Sequence, residues 1–382
     1  MFAWFKPRPR MEAKGDGRVL AWHGLGQPSW PLHDSAAFAR EGYGLNAVVY
    51  RCVRLISEAA AAAPLRISPS DHPLALLLNK PNPEQTQLEL IEAFYGHLQV
   101  AGNAYLEAVS FEDSPPRELY VLRPDRMQVI AGPRGWPIGW EHRAGANVTR
   151  FERDPFTQRA PILHLKLFHP ADDWYGQSPM QAAAFAIDIH NAGAAWNKAL
   201  IDNSARPSGA LVYSGSNGAE RLSLEQFERL KAELEGAHSG AAHAGRPLLL
   251  EGGLDWKPMS LSPTDMDFIE ARHAAAREIA LAFGVPPMLL GIPGDNTYAN
   301  YKEANLALLR QTALPLAVKT ARALENWLGE AWPSAGPARV TLDLDATPGL
   351  AVERDALWAR LGQADFLSAE EKRRMAGLEI NP

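Results

Sequence analysis

The sequence predicts an α+β fold, on three observations. Two stretches, 178–205 and 264–283, repeat apolar residues at three- and four-residue spacing, the period of a helix face. Short alternating runs bounded by turn residues fill the segment from 102 to 167, the period of strands. Hydrophobic residues make up 46% of the 382 and charged residues 21%, which suits packed cores rather than a disordered chain. The length is enough for two or three domains' worth of core.

The first ten residues carry Phe2, Trp4 and Phe5 beside Lys6, Arg8 and Arg10, with no apolar core of a secretory signal. Pro7, Pro9, Gly15, Gly17, Gly24, Gly26, Pro28 and Pro31 point to a flexible arm over residues 1–35. Asn46 caps a helix through Val49, Cys52, Val53 and Ile56 that Pro64 stops. Arg51 and Arg54 lie off that stripe, facing solvent or a partner subunit. Leu65–Ile67 reads as a strand. Leu74–Leu78 reads as a short turn or helix before the loop 79–83. Thr86 and Glu89 form a capping box for a helix with Leu90, Ile91, Phe94 and Leu98 on one face.

Strand 102–109 takes 118–122 as its partner, Met127–Ile130 continues the same sheet, and 162–167 alternates as a further strand. Trp136, Trp140 and Phe151 mark short strands between turns. Ser178 as N-cap and Pro179 as first helical residue open a helix through Ala184, Ile187, Asn191, Ala194 and Ile201. Some 27 residues at about 1.5 Å each make a rod of roughly 40 Å. It is rich in Ala and poor in charge, so other helices should pack on more than one side of it.

Between the long helices, 207–213 reads as a strand and Ser223 with Gln226 boxes a helix bearing Leu224, Phe227, Leu230 and Leu234. Residues 247–251 and 254–258 read as a hairpin around Gly252 and Gly253. Thr264, with Asp267, caps the second long helix, whose inward face is Ile269, His273, Ala276, Ile279, Ala280 and Phe283. Gly284 ends it, and Pro286–Pro287 forbids continuation. A loop of turn residues follows through Ile292, Asp295, Asn296, Thr297 and Tyr298. Helical periodicity resumes near Ala299, interrupted by Pro315, and runs to Leu328. Arg339–Asp345 alternates and should rejoin the strands of the N-terminal part, 36–177. A capping box of Ser368 and Glu371 lies in a last helical segment with Leu357, Leu361, Phe366 and Met375 apolar.

No phosphate loop, nucleophile elbow or H-E-x-x-H occurs. Asp172 and Asp173 diverge as neighbours and have no third ligand at a recognisable spacing, so they read as turn residues. His164 and His169 lack placeable zinc partners. The single cysteine, Cys52, reads as core. We expect no catalytic residues, no metal and no cofactor. No apolar run is long enough for a membrane span. The net charge of −6 argues against a protein that grips nucleic acid by its backbone.

Ile279–Gly291 with its FGVPP core, followed by Asn300 and a helix carrying Leu314 and Pro315, resembles the HK97-type portal proteins of tailed phages. NAVVYRCVRL (46–55), LLLNKPNPEQT (76–86), GNAYLEA (102–108) and ELYVLRPDRM (118–127) resemble that family's wing in order and spacing. The resemblance covers roughly residues 45 to 330. It implies a wing over 36–177, a stem helix over 178–206, a clip over 207–262 and a second stem helix over 263–284. A channel loop over 285–300, a kinked helix and wing strand over 301–350 and a short helical crown over 351–382 complete the plan.

The implied function is structural. A ring of twelve subunits at one capsid vertex would conduct DNA during packaging and ejection. Its partners would be the major capsid protein, the terminase large subunit, the head–tail adaptor and double-stranded DNA passing without tight or sequence-specific binding. The particle would assemble in the bacterial cytoplasm. Ile292, Asp295, Asn296, Thr297 and Tyr298 would line the channel. Ile187, Asn191, Ala194, Ile269, His273 and Ile279 would serve the stem. The compact length and early C-terminus resemble the portals of gene transfer agents. The other reading is a soluble α+β enzyme or ligand-binding protein with an unrecognised site.

Overall fold

Asn46 fixes the start of the helix on which the rest packs. In the computed structural model its side-chain oxygen accepts from the amides of Val48 at 3.0 Å and Val49 at 3.1 Å. These are donors that a first helical turn leaves open. The structure describes residues 35–377, apart from 112–113, 134, 158, 203–208, 294–297, 348 and most of 214–267, where 225, 228–229 and 254–258 are described. The expected arm (residues 1–34), the boxes at Thr264–Asp267 and Ser223–Gln226 with the helix after Ser223, the strand 247–251 and the residues Asp295, Asn296 and Thr297 lie outside these.

The described chain begins with α1 (Ser35–Ala37) and a π turn over Phe38–Tyr43. Helix α2 (Ala47–Ala61) then buries Val49, Cys52, Val53, Ile56 and Ala60. It packs on α4 (Gln87–Ala101), which opens on the expected Thr86–Glu89 box. Between them lie β1 (Leu65–Ser68) and α3 (Pro73–Asn79), the latter capped by His72. Helix α4 stops at Gly102, whose φ is +71°. A Cβ there would lie 2.4 Å from the carbonyl oxygen of Gly176, so only glycine fits.

Strand β2 (Asn103–Val109) is the centre of an antiparallel sheet, with β3 (Glu118–Leu122) on one side and β7 (Ile162–Lys166) on the other. β4 (Met127–Ala131) does not continue that sheet, contrary to expectation. A tight turn at Pro124–Arg126 redirects the chain, and β4 joins β5 (Pro137–Ala144) and β6 (Asn147–Glu152) in a second sheet. Its inward residues Met127 and Val129 meet Tyr105, Trp140 and Ile162 in a separate apolar cluster. That burial is what the change of sheet achieves.

The first stem segment is likewise not one rod. Ser178 caps α5 (Pro179–Ala182), accepting from Met180 N at 3.0 Å and donating to the Gln99 carbonyl at 2.8 Å. Met180 is fully buried against Gly42, where a Cβ would stand 1.9 Å from its terminal carbon. The first turn is thereby tied to α4. The helix breaks at Ala183 (φ −91°, ψ 4°) and restarts as α6 (Ala184–Asp202).

β8 (Gly209–Tyr213) pairs antiparallel with β9 (Leu254–Pro258), so that strand finds a partner across the insert. Helix α7 (Phe268–Phe283) follows and packs on α6. Pro315 does not interrupt the next helix. α8 (Tyr298–Ala307) passes through a π turn, Leu308–Ala313, into α9 (Leu314–Leu328). Leu314 N–H reaches back to the Leu309 carbonyl, one residue farther than in an α-helix. The wider turn accommodates a proline ring that has no N–H to give.

β10 (Arg339–Leu342) returns to the N-terminal part, where it pairs with β1 in a two-stranded ribbon separate from the β2 sheet. α10 (Ala351–Gln363) and α11 (Ala369–Met375) close the described chain, the latter on the expected Ser368–Glu371 box. Leu361 is buried there, but Phe366 and Met375 are exposed. The main core joins α2, α4, the base of α6 and α7, and α9.

Candidate subunit interface and channel loop

The α6–α7 pair is held by small residues on facing sides. Ala184, Ala186 and Ile187 of α6 are buried, as are Ala275, Ala276, Ile279, Ala280 and Phe283 of α7. Gly193 lets the Arg272 side chain cross, since a Cβ there would stand 2.9 Å from Arg272 Cγ. Ile187 and Ile279, both expected stem residues, are fully buried within the subunit and present nothing to a neighbour. Ile269 is the reverse case. It lies on the surface, because the inward face of α7 is covered only from Ala275 onward. Ala194 is exposed and His273 half-buried.

Asn191 serves a role that spacing alone did not reveal. Asn46 donates from Nδ2 to Asn191 Oδ1 at 2.9 Å and approaches His190 Nδ1 at 3.1 Å. Asn191 donates in turn to the Glu41 carbonyl at 3.1 Å. Burial, and then the Arg272 charge, hold His190 below the usual histidine range, so the neutral ring accepts here. The cap of α2 is therefore also the polar tie between α2 and α6. A polar residue amid an alanine-rich stripe was the signal available in the sequence.

The outer face of α6 carries partly exposed apolar side chains. Phe185 is 51% exposed, Ile189 38% and Trp196 44%. These positions fall within a narrow arc of one helix face, since each residue turns the helix by about 100°. On α7, Leu281 is also exposed.

The loop between α7 and α8 is anchored at both sides. Gly284 takes φ +66°, and Val285 N–H bonds the Ala280 carbonyl at 2.9 Å, the six-to-one bond of a Schellman ending. Thr312 Oγ1 donates to the Gly284 carbonyl at 2.8 Å. A short 3₁₀ turn, Pro287–Leu290, ends at Gly291 with φ +70°. Val285, Leu289 and Ile292 are buried, and Arg277 of α7 donates to the Pro293 carbonyl. Ile292 is thus an anchor of the loop, not part of its lining, because its side chain is taken into the core. Tyr298 opens α8 rather than closing the loop.

The remaining polar centres have structural partners. His164 stacks on Tyr105 at 4.3 Å, donates from Nε2 to Asn103 Oδ1 at 3.0 Å and accepts from Trp140 Nε1 at 3.4 Å. Burial, with Lys166 adding, pushes it down to about 3, so it stays a neutral ring. Asp172 Oδ1 caps a turn, accepting from Trp174 N at 2.8 Å and Tyr175 N at 3.0 Å. Burial pushes the Cys52 thiol up to about 12, which leaves it protonated and inert. No cluster of three metal-ligating side chains occurs among the described residues. None of their helices is long and apolar enough to cross a membrane.

The comparisons with known proteins agree with this architecture. The family model described as "Phage portal protein" matches residues 47–377. An uncharacterized protein of Rickettsia bellii (strain RML369-C) is 40% identical over 345 residues, 88% of each chain. The portal protein of Enterobacteria phage HK97 is 26% identical over 348 residues, 85% of this chain and 77% of that one. Among solved structures, a chain from the neck of a native gene transfer agent particle, computed with C12 symmetry, is 53% identical. It has a TM-score of 0.69 and covers 96% of this chain and 99% of its own. With the family model matched along nearly the whole described length, the chain belongs to the phage portal protein family.

Proposed function

We propose that the chain assembles head to tail into a closed ring of twelve at one vertex of a phage-like capsid, and that DNA enters and leaves through the ring. Portal proteins are structural, so no catalytic role is assigned. The observation that carries the arrangement is the exposed apolar pair Phe185 and Ile189 along α6. Solvent-exposed apolar surface of this kind calls for a cover. A ring supplies one by seating the pair of each copy on a different face of the next, the heterologous mode of assembly. The likeness to a chain in the neck of a gene transfer agent particle supports both the ring and the kind of particle.

In that ring the loop of 285–300 lines the bore with Asp295, Asn296, Thr297 and Tyr298. A loop with no Lys or Arg touches DNA without holding it, since tight binding comes from phosphate neutralisation. The insert of 207–262 faces the head–tail adaptor and the terminase large subunit, and the wing faces the major capsid protein. Negative-stain microscopy of the purified full-length chain tests the proposal. We expect rings with twelve-fold symmetry and an axial hole. A compact monomer at micromolar concentration would refute it.

A further inference from the structure

We infer that the groove between α2 and α4 receives the chain's own N-terminal segment, residues 1–10. The groove has a volume of about 290 Å³, and Tyr43, Arg54, Glu89, Glu92, Ala93 and Gly96 are among the residues that line it. Two observations carry this assignment.

The first is charge. Arg54 is already engaged by Glu58 and by the Tyr50 hydroxyl. Glu89 is oriented by the amide and hydroxyl of Thr86, which hold its carboxyl below the usual range and keep it ionised. No ion pair among the described residues involves Glu92. The groove is therefore negative. Residues 1–10 contain Lys6, Arg8 and Arg10 and no acidic residue, with Phe2, Trp4 and Phe5 to fill apolar space beside Tyr43.

The second is position. Tyr43, on the groove's wall, belongs to the turns that directly follow Ser35, the first residue described. Residues 11–34 form a tether that reaches up to ~80 Å when extended, at ~3.3 Å per residue. The groove is well within that reach. Tethering raises the local concentration of the segment at its own groove above that of any free competitor.

Disulfide trapping in the full-length chain tests this, with Cys52 buried and out of the way. The F5C/A93C chain is oxidised and run denatured without reductant. We expect an intrachain product forming at least about tenfold faster than in an F5C/L76C control, whose Leu76 is exposed outside the groove. Adding E92K should slow trapping about tenfold, and R8E should restore it in the E92K background. If A93C lowers the melting temperature, E92C replaces it, with R8E alone as the charge test. Trapping no faster than the control overturns the docking. A dimer-sized product gives the groove to a second copy and overturns the same-chain assignment. An unchanged rate in E92K, or in R8E where that is the charge test, overturns the electrostatic basis.

Discussion

Asn46 shows how one side chain can serve two levels of structure. Its oxygen caps α2 while its amide group ties that helix to Asn191 on α6. Asn46→Ala removes both. The cap alone is worth about 0.5–2 kcal/mol and the buried bond about 1 more, so we expect a loss of about 2 kcal/mol in a denaturant titration. His164 links stability to acidity. Its folded form resists protonation down to about 3, whereas the unfolded ring takes a proton near 6.5. The stability it contributes is therefore complete above about pH 6.5 and drains away as the pH falls toward 3, by up to about 1.4 kcal/mol per unit. Urea midpoints measured at pH 7 and pH 4.5 should show a steeper acid loss in the parent than in H164Q. Equal slopes would remove His164 from this role.

At the scale of elements, helix ends carry the architecture. Gly284 and Gly291 both adopt a left-handed φ near +70°, yet their surroundings differ. A Cβ on Gly284 would press to 3.0 Å from Thr312 Oγ1, while one on Gly291 meets nothing within 4 Å. Both substitutions to Ala incur the conformational penalty of about 1 kcal/mol. We expect Gly284→Ala to cost more, about 2 kcal/mol, because it also disturbs the Thr312 bond that fixes the entry to the loop. Paired thermal melts of the two variants decide this, and equal shifts would show that the Thr312 contact yields freely. The π turn before Pro315 follows the same logic, since a missing donor is absorbed by geometry rather than by ending the helix.

For the whole molecule, the question is which surfaces belong to the subunit and which to the assembly. Ile187 and Ile279 are core, and Ile189, two residues from Ile187, faces outward. Ile189→Glu should leave the isolated fold within about 0.5 kcal/mol of the parent, as exposed substitutions do. Rings should nevertheless be lost, because a carboxylate would be buried without a partner at the proposed contact. Mass photometry beside a circular-dichroism melt separates the two effects. Rings that persist in this variant would move the interface off α6.

The local grammar was readable in the chain. Asn46, the Thr86–Glu89 and Ser368–Glu371 boxes, Ser178 with Pro179, and Gly284 act on residues two to four positions away, so spacing alone reveals them. The tertiary structure decided what depends on distant partners. β4 left the β2 sheet because Tyr105 and Trp140 offered a second core, and α5 parted from α6 because Met180 had to reach Gly42. Ile269 was exposed although it shares a period with Ile279, since periodicity tells which residues share a face and only packing tells how far along the helix that face is covered.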